Sequence, residues 1–340
     1  MSKSRFILIT LLFWVWLAFF SHKTIAQNSE IEVLRDIEYS RPNGVSLKLD
    51  VCRPKGLIAP RPGIVLIHGG GFRTDDKKAL LDECQELAKL GYVAATVNYR
   101  FAPTYPYPAQ IDDVQYAVRW LRTNANKYQI DPNNIGSLGG SAGGYLATML
   151  GVRDTRNPSL GLNTYSSKVK AVVDRFGAPM DATDPSIIDP NGPYAELQTE
   201  IIEDYLRGYT VTPELLKEIS PITYATSDDA SLLAVHSVND QLAPIVYSQK
   251  IVAALTNVGI SAKLEPFQGG GNAHGLAGAS SKEKERVWQL QVSFLNTYLP
   301  VGDAVQREQV APVKGRSGLF NKLRTRFSNP LRWLFNLFDR

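Results

Sequence analysis

The sequence predicts an α/β fold, a mostly parallel sheet with helices on both faces. Three observations predict it. Residues 64–67, 93–97, 171–173 and 232–235, with the weaker 135–138, are short continuous apolar runs, interrupted only by Thr96 and, in the weaker one, by Gly136 and Ser137, the pattern of strands buried on both faces. Stretches of helical periodicity alternate with these runs, which calls for right-handed crossovers between parallel strands. The chain has 340 residues, 44% hydrophobic and 21% charged, enough for one domain with a large core.

Taken in order, residues 1–26 begin with Lys3 and Arg5, continue through an apolar or Thr run over 6–20, and end in Thr24-Ile25-Ala26. That run is short for a spanning helix, which needs ~20 residues, and the final triplet fits a cleavage site. We expect an export signal cleaved after Ala26. The bulk of Phe13, Trp14, Trp16, Phe19 and Phe20 keeps an uncleaved anchor as the alternative, and a lipoprotein anchor is excluded because no cysteine lies near the cleavage point. Both readings put the body outside the cytoplasmic membrane, periplasmic or extracellular, where Cys52 and Cys84 can pair. Free buried thiols are the other option.

The body is expected over 35–298. Val45, Leu47, Leu49 and Val51 alternate with polar residues after the turn Pro42-Asn43-Gly44, giving a half-exposed strand at 45–51. Helices are expected at 76–90, closed by Gly91, and at 110–128, where Ile111, Val114, Ala117, Val118 and Leu121 share a face. Others are expected at 142–150, at 244–258 closed by Gly259, and at 282–298, with a last strand at 261–267. Residues 178–222, rich in Pro, Asp and Tyr, break the rhythm and read as a small insertion over the top of the sheet. At ~45 residues it is small for a lid, so an open site is expected, with Tyr105 and Tyr107 either lining it or serving structure.

Charge divides by region. The net +4 resolves into +3 on 1–26, +6 on 312–340 and −5 on the body between them. A basic nucleic-acid-binding body is thereby excluded. Two cysteines exclude a disulfide-dense scaffold and a four-Cys zinc site. Residues 312–340 interleave basic residues with Leu319, Phe320, Leu323, Phe327, Leu331, Leu334, Phe335 and Phe338 around Pro330, the pattern of a basic amphipathic membrane-surface segment. A docked terminal helix or a plain tail are the alternatives.

Gly139-Gly140-Ser141-Ala142-Gly143 fits G-x-S-x-G, with an apolar run before it and a helix after it. A serine on such a sharp turn projects its hydroxyl above the sheet, and the glycines permit the crowded backbone. Its base must follow it in the chain with an acid between them. Of four histidines, His22 lies in the signal and His68 precedes the serine, leaving His236 and His274. His236 ends a buried run and reads as a structural hydrogen-bonding residue, whereas His274 sits in a glycine-rich loop that can reach the serine. Asp240, in the loop after 232–235, is the expected acid, because active groups in such sheets gather at the C-terminal ends of strands. Asp181 is the runner-up, and Asp228 and Asp229 lie at the wrong end of their strand.

An acyl-transfer site also needs N–H donors aimed at the oxyanion. The run 64–67 leads into His68-Gly69-Gly70-Gly71-Phe72, so Gly70 and Gly71, with Ala142 after the nucleophile, are the expected donors. Phosphate binding is excluded because the G-x-G-x-x-G and Lys-Ser/Thr spacings are missing. His68 is then a loop-ordering residue.

Together with Asn98-Tyr99-Arg100-Phe101-Ala102-Pro103, Ile111-Asp112-Asp113, Gly140-Ser141-Ala142-Gly143-Gly144 and Ser220-Pro221-Ile222, this constellation resembles the BD-FAE-like branch of the α/β-hydrolases over about 35–298. More distantly it is similar to the hormone-sensitive-lipase-like esterases. The resemblance implies an esterase or deacetylase acting on acetyl, feruloyl or other short acyl esters, small or sugar-borne, without a cofactor. It matches Asp240, in a stretch ending Leu242-Ala243-Pro244, to the family's acid and His274 to its base. Residues 269–273 lengthen the family's compact Gly-x-Gly-His-Gly, and 312–340 are no part of its pattern. Two rivals stand beside this expectation: amide or peptide hydrolysis on the same triad, and a non-catalytic scaffold on a hydrolase body.

Overall fold

A computed structural model of the protein describes residues 30–155, 161–269 and 274–302. The expected export signal, the basic tail and most of the lengthened loop 269–273 lie outside the described residues. Eight strands form one sheet: β1 (Ile31–Ser40), β2 (Leu47–Pro54), β3 (Arg61–Ile67), β4 (Val93–Val97), β5 (Ile130–Gly140), β6 (Ala171–Arg175), β7 (Ser231–Ser237) and β8 (Ala262–Phe267). Their order is β1-β2-β4-β3-β5-β6-β7-β8. The pairings β1·β2 and β2·β4 are antiparallel, and all others are parallel. This is the α/β-hydrolase fold.

Every expected strand is present. Helices α1 (Leu81–Lys89), α2 (Ala109–Thr123), α3 (Ala125–Tyr128), α4 (Ala142–Val152), α7 (Val246–Asn257) and α8 (Ser281–Tyr298) occupy the expected places. The helix expected at 110–128 breaks at Asn124, which leaves helical geometry at φ −99 and ψ 15 while its side-chain amide and its own N–H both donate to the Trp120 carbonyl. Strand β1 was not expected. Asp36 adopts φ 55 in a bulge between Leu34 and Ile37, which shifts the alternation of apolar residues partway along the strand.

The apolar runs work by parity. In β3, Val65 and Ile67 join a cluster with Val114, Val118, Leu146 and Ile251 on one face, while Ile64 and Leu66 join Leu87, Ala88 and Leu295 on the other. Packing is tight enough that a Cβ on Gly136 would lie 2.6 Å from Leu299 Cδ1. Cys52 of β2 and Cys84 of α1 form a disulfide with Cα atoms 5.7 Å apart, both residues fully buried.

The insertion is more ordered than its composition suggests. It holds α5 (Ala195–Tyr205) and α6 (Pro213–Glu218), the latter capped by Thr212, whose hydroxyl accepts from Leu215 N–H. Tyr107 is buried beneath it, donating to Glu218 Oε1 at 2.7 Å, so it serves structure. The motif around Arg100 is structural too: its guanidinium and its own N–H bind the buried Asp113 carboxylate at 2.7–3.1 Å, clamping the loop after β4 to α2.

Candidate active site

Ser141 stands between the end of β5 and the start of α4 with φ 57 and ψ −127, a conformation that costs an L-residue energy and persists only when its surroundings enforce it. They do. A Cβ on Gly139 would lie 2.1 Å from the Gly143 carbonyl oxygen, and one on Gly143 would lie 2.1 Å from that of Ile67. The N–H of Ser141 donates to the Arg175 carbonyl of β6 at 2.9 Å. Arg175 is itself clamped, its guanidinium bonded to Gln291 of α8 and Glu83 of α1. The helix start beneath Ser141 favours developing negative charge.

Asp240 and His274, 34 residues apart, meet: His274 Nδ1 lies 2.8 Å from Asp240 Oδ2. The same oxygen accepts from Gly275 N–H at 2.9 Å, and Oδ1 accepts from Leu242 and Ala243 N–H at 3.1 and 2.9 Å. Burial alone would raise the Asp240 pKa. The bond to His274, the imidazolium charge and the N–H groups of Ala243 and Gly275 outweigh it and hold the carboxyl below its usual range. Asp240 therefore stays ionised, and by accepting from Nδ1–H it selects, for the neutral imidazole, the tautomer whose Nε2 carries no proton. That atom is buried and has no hydrogen-bond partner among the described residues.

Ser141 and His274 line one cavity of ≈ 60 Å³ with Gly71 and Ala142. Gly71 has φ 60, and a Cβ there would press on Ile201. Gly70 has φ 98, but its carbonyl accepts from the N–H groups of Arg73 and Thr74 in a tight turn. It does not line the cavity; of the three expected donors, Gly71 and Ala142 do. Asp181 is bonded to Lys250 at 2.6 Å and takes no part in the Asp240–His274 pair. His68 is buried, stacked on Tyr99 with ring centroids 4.4 Å apart, and its Nδ1 is 2.9 Å from the Gly69 carbonyl, as expected of a loop-ordering residue. Asp228 and Asp229 pair with Lys168 far from this cavity. Among the described residues, no three His, Cys, Asp or Glu side chains are grouped to hold a metal ion. The insertion, expected to leave the site open, furnishes one wall through Ile188, Gln198, Ile201 and Ile202.

The BD-FAE family model matches residues 49–255, more than half of the chain, and spans Ser141, Asp240 and the glycine loop. The chain belongs to the BD-FAE family. It is similar to the esterase LipQ of Mycobacterium tuberculosis, 29% identical over 231 residues, 66% of this chain and 53% of that one. It is also similar to bovine arylacetamide deacetylase, 31% identical over 163 residues, 46% of this chain and 40% of that one. The chain spans about half the length of the curated relatives it matches. Among solved structures, a truncated carbohydrate esterase from gut microbiota superposes with TM-score 0.64 at 26% identity, over 80% of this chain and 99% of that one.

Within this BD-FAE body, sequence reasoning missed the residues that hold the pair in place. Phe176, with φ 46, sets its ring edge against His274 at 5.0 Å, and Gly275 lacks the Cβ that would collide with it at 2.5 Å. His236 has both nitrogens engaged, Nε2 donating to the Ala243 carbonyl at 2.6 Å and Nδ1 lying 2.7 Å from Ser248 Oγ. Burial pushes its pKa down to about 4 against the pull of Asp240, so the ring is neutral and Nδ1 accepts the Ser248 proton. Ser248 Oγ in turn lies 3.5 Å from Asp174 Oδ2, a fully buried carboxyl that burial pushes up to about 7. Asp174 Oδ1 accepts from Gly177 N–H at 2.8 Å. These contacts tie β6, β7 and α7 to the loop of Asp240. They join residues 12 and 74 positions apart, which no local pattern displays.

Proposed function

We propose that this protein is a serine-dependent carboxylic-ester hydrolase acting on short acyl esters. One observation carries the reading: His274, its Nε2 buried and without a hydrogen-bond partner among the described residues, lines the same cavity as a serine held in a strained elbow, while Nδ1 is fixed by an ionised Asp240. In the first step Ser141 Oγ attacks the ester carbonyl carbon and its proton passes to His274 Nε2. The oxyanion that forms is met by the N–H groups of Gly71 and Ala142, with the helix start adding to them. Collapse breaks the C–O bond, and the departing alcohol takes the proton from His274. Water then repeats the sequence on the acyl-serine, returning the acid and the free hydroxyl. Asp240 holds the ring and opposes its transient charge throughout.

The small cavity supports short acyl groups, and the names of the similar proteins support esters. The bovine relative's name also brings amides into view, so the same assay should include an acetanilide beside p-nitrophenyl acetate; faster anilide turnover would overturn the ester reading. Ser141→Ala is expected to lower kcat by about 10⁵–10⁶ and to abolish labelling by a fluorophosphonate. An active Ser141→Ala protein would refute the nucleophile. The Cys52–Cys84 disulfide supports the reading of residues 1–26 as an export signal. Residues 312–340 are read as a membrane-surface segment, to be tested by co-sedimentation with anionic liposomes with and without them.

A further inference from the structure

The N–H groups of Arg73 and Thr74 close the turn after β3 by donating to the Gly70 carbonyl, so Gly71 and Phe72 are its two central residues, with φ 60 and 63. Two positive φ values in succession are the mark of a type I′ turn, which Gly, Asn and Asp favour. Gly71 meets that demand readily. Phe72 is an aromatic residue in left-handed geometry, a state that persists only where its surroundings enforce it. Its carbonyl accepts from Ala102 N–H at 3.0 Å and its ring crosses that of Tyr145. The insertion adds three contacts from α5, where Ile201, Asp204 and Tyr205 are spaced i, i+3 and i+4 and so share one face. Each meets a different residue of the turn. A Cβ on Gly71 would lie 3.2 Å from Ile201 Cδ1, the Phe72 ring stacks on Tyr205 with centroids 4.3 Å apart, and Arg73 Nη1 donates to Asp204 Oδ2 at 2.9 Å. Glu200 Oε2 stands 3.5 Å from the same nitrogen. The Arg73 side chain is 8% exposed, and its Nε and Nη2 have no hydrogen-bond partner among the described residues, so the guanidinium is held through Nη1, by α5.

We propose that α5 positions the oxyanion donor: the Arg73–Asp204 ion pair and the Phe72–Tyr205 stack hold the turn in the strained form that aims the Gly71 N–H at the oxyanion. The inference rests on the serine-hydrolase reading and makes Arg73, Asp204 and Tyr205 positioning residues within it. None of the three lines the cavity. Released from α5, the turn relaxes toward negative φ at Phe72, and Gly71, with no Cβ to resist, follows it. The Gly71 N–H meets its charge only once the carbonyl oxygen has become an oxyanion, so loosening the turn weakens transition-state binding and leaves ground-state binding alone. The insertion thereby acts on the rate as well as on the shape of the cavity.

The test is Arg73→Met, which keeps the apolar stem and removes the guanidinium, while Asp204 retains Arg207 at 2.6 Å. Rates are taken per active serine, counted by fluorophosphonate labelling. With p-nitrophenyl acetate, kcat and kcat/KM are expected to fall together by about tenfold, less than the roughly 10²–10³ lost when an oxyanion donor is removed outright, with KM within about twofold of wild type. The inhibition constant of a trifluoromethyl ketone, whose adduct on Ser141 carries the same oxyanion, should rise by the same factor, and Arg73→Lys, which restores a cation for Asp204, should recover most of the loss. Where Arg73→Met does not fold, Asp204→Asn decides: it keeps the shape, weakens the charge-assisted bond and should cost about threefold in the same pattern. Unchanged kcat and inhibition in these variants, or a loss carried by KM alone, overturns the positioning role and leaves the ester reading intact. A wild-type protein that neither turns over p-nitrophenyl acetate nor takes the label would overturn both.

Discussion

Asp240→Asn exchanges one oxygen for an NH2 where all four partners are donors: the N–H groups of Leu242, Ala243 and Gly275, and Nδ1 of His274. The asparagine has two orientations. With nitrogen in place of Oδ1 it opposes both N–H groups of Leu242 and Ala243, and two stranded buried donors cost about 2–6 kcal/mol. With nitrogen in place of Oδ2 it strands only Gly275 N–H, about 1–3 kcal/mol, and it meets His274 by donating to Nδ1. The second orientation wins. It drives the ring proton to Nε2, the position that must accept from Ser141, so the base is lost while the fold survives. We expect kcat on p-nitrophenyl acetate to fall by about 10³–10⁴, with a Tm lowered by only several degrees in a thermal melt. A kcat within tenfold of wild type would refute this reasoning, because it would mean that His274 does not need Asp240 to fix its tautomer.

Three further predictions follow from separate parts of the structure. The Cys52–Cys84 disulfide spans 32 residues, so replacing both cysteines with alanine removes about 3–4 kcal/mol and lowers Tm by roughly 10 °C; an unchanged melt would show that the bridge constrains nothing. The Asp174 pKa is raised in the fold to about 7, so its contribution to stability is complete below the unfolded value near 4 and is lost as pH rises through about 7. Asp174→Asn should therefore flatten the decline of Tm between pH 5 and pH 8, and parallel curves for the two proteins would count against a buried titrating carboxyl. Gly143→Ala sets a Cβ 2.1 Å from the Ile67 oxygen and 2.5 Å from that of His68, backbone that can yield only by shifting the oxyanion loop. A loss of about 3 kcal/mol or more, with activity falling alongside it, is expected, and wild-type kinetics would show that the elbow is looser than its geometry implies.

The placement of Asp240 against His274, and of His274 and Ser141 on one cavity, was legible because each follows a strand end and a chain-order rule sorts the candidates. The strands of the parallel half were legible because continuous apolar runs have few other uses. The turn at Gly70 was not legible in detail: composition shows that a glycine turn is present but not which carbonyls close it, and the Gly70 carbonyl takes the N–H groups of Arg73 and Thr74. The insertion was legible as an interruption, but its role was not, because Gln198 reaches the Leu242 carbonyl across 44 residues. His236 was recognised as structural while its partners were invisible, since Ser248 and Asp174 lie on elements that meet only in the folded sheet.

The clamp on Arg175 bears on how such a protein can change over evolutionary time. The backbone of Ser141 hangs from β6, and Arg175 of that strand is gripped by Glu83 and Gln291 on helices that pack with Leu87 and Leu295, whereas the insertion packs with the cluster on the other side of the sheet. The strand side of the nucleophile is thus held from the face opposite the insertion, while α4, which starts at Ser141, packs in the insertion's own cluster, with the Tyr145 hydroxyl donating to the Ile219 carbonyl. Residues 178–222 can therefore drift only where they still cover Tyr145 and its neighbours, because the same packing steadies the helix behind the serine.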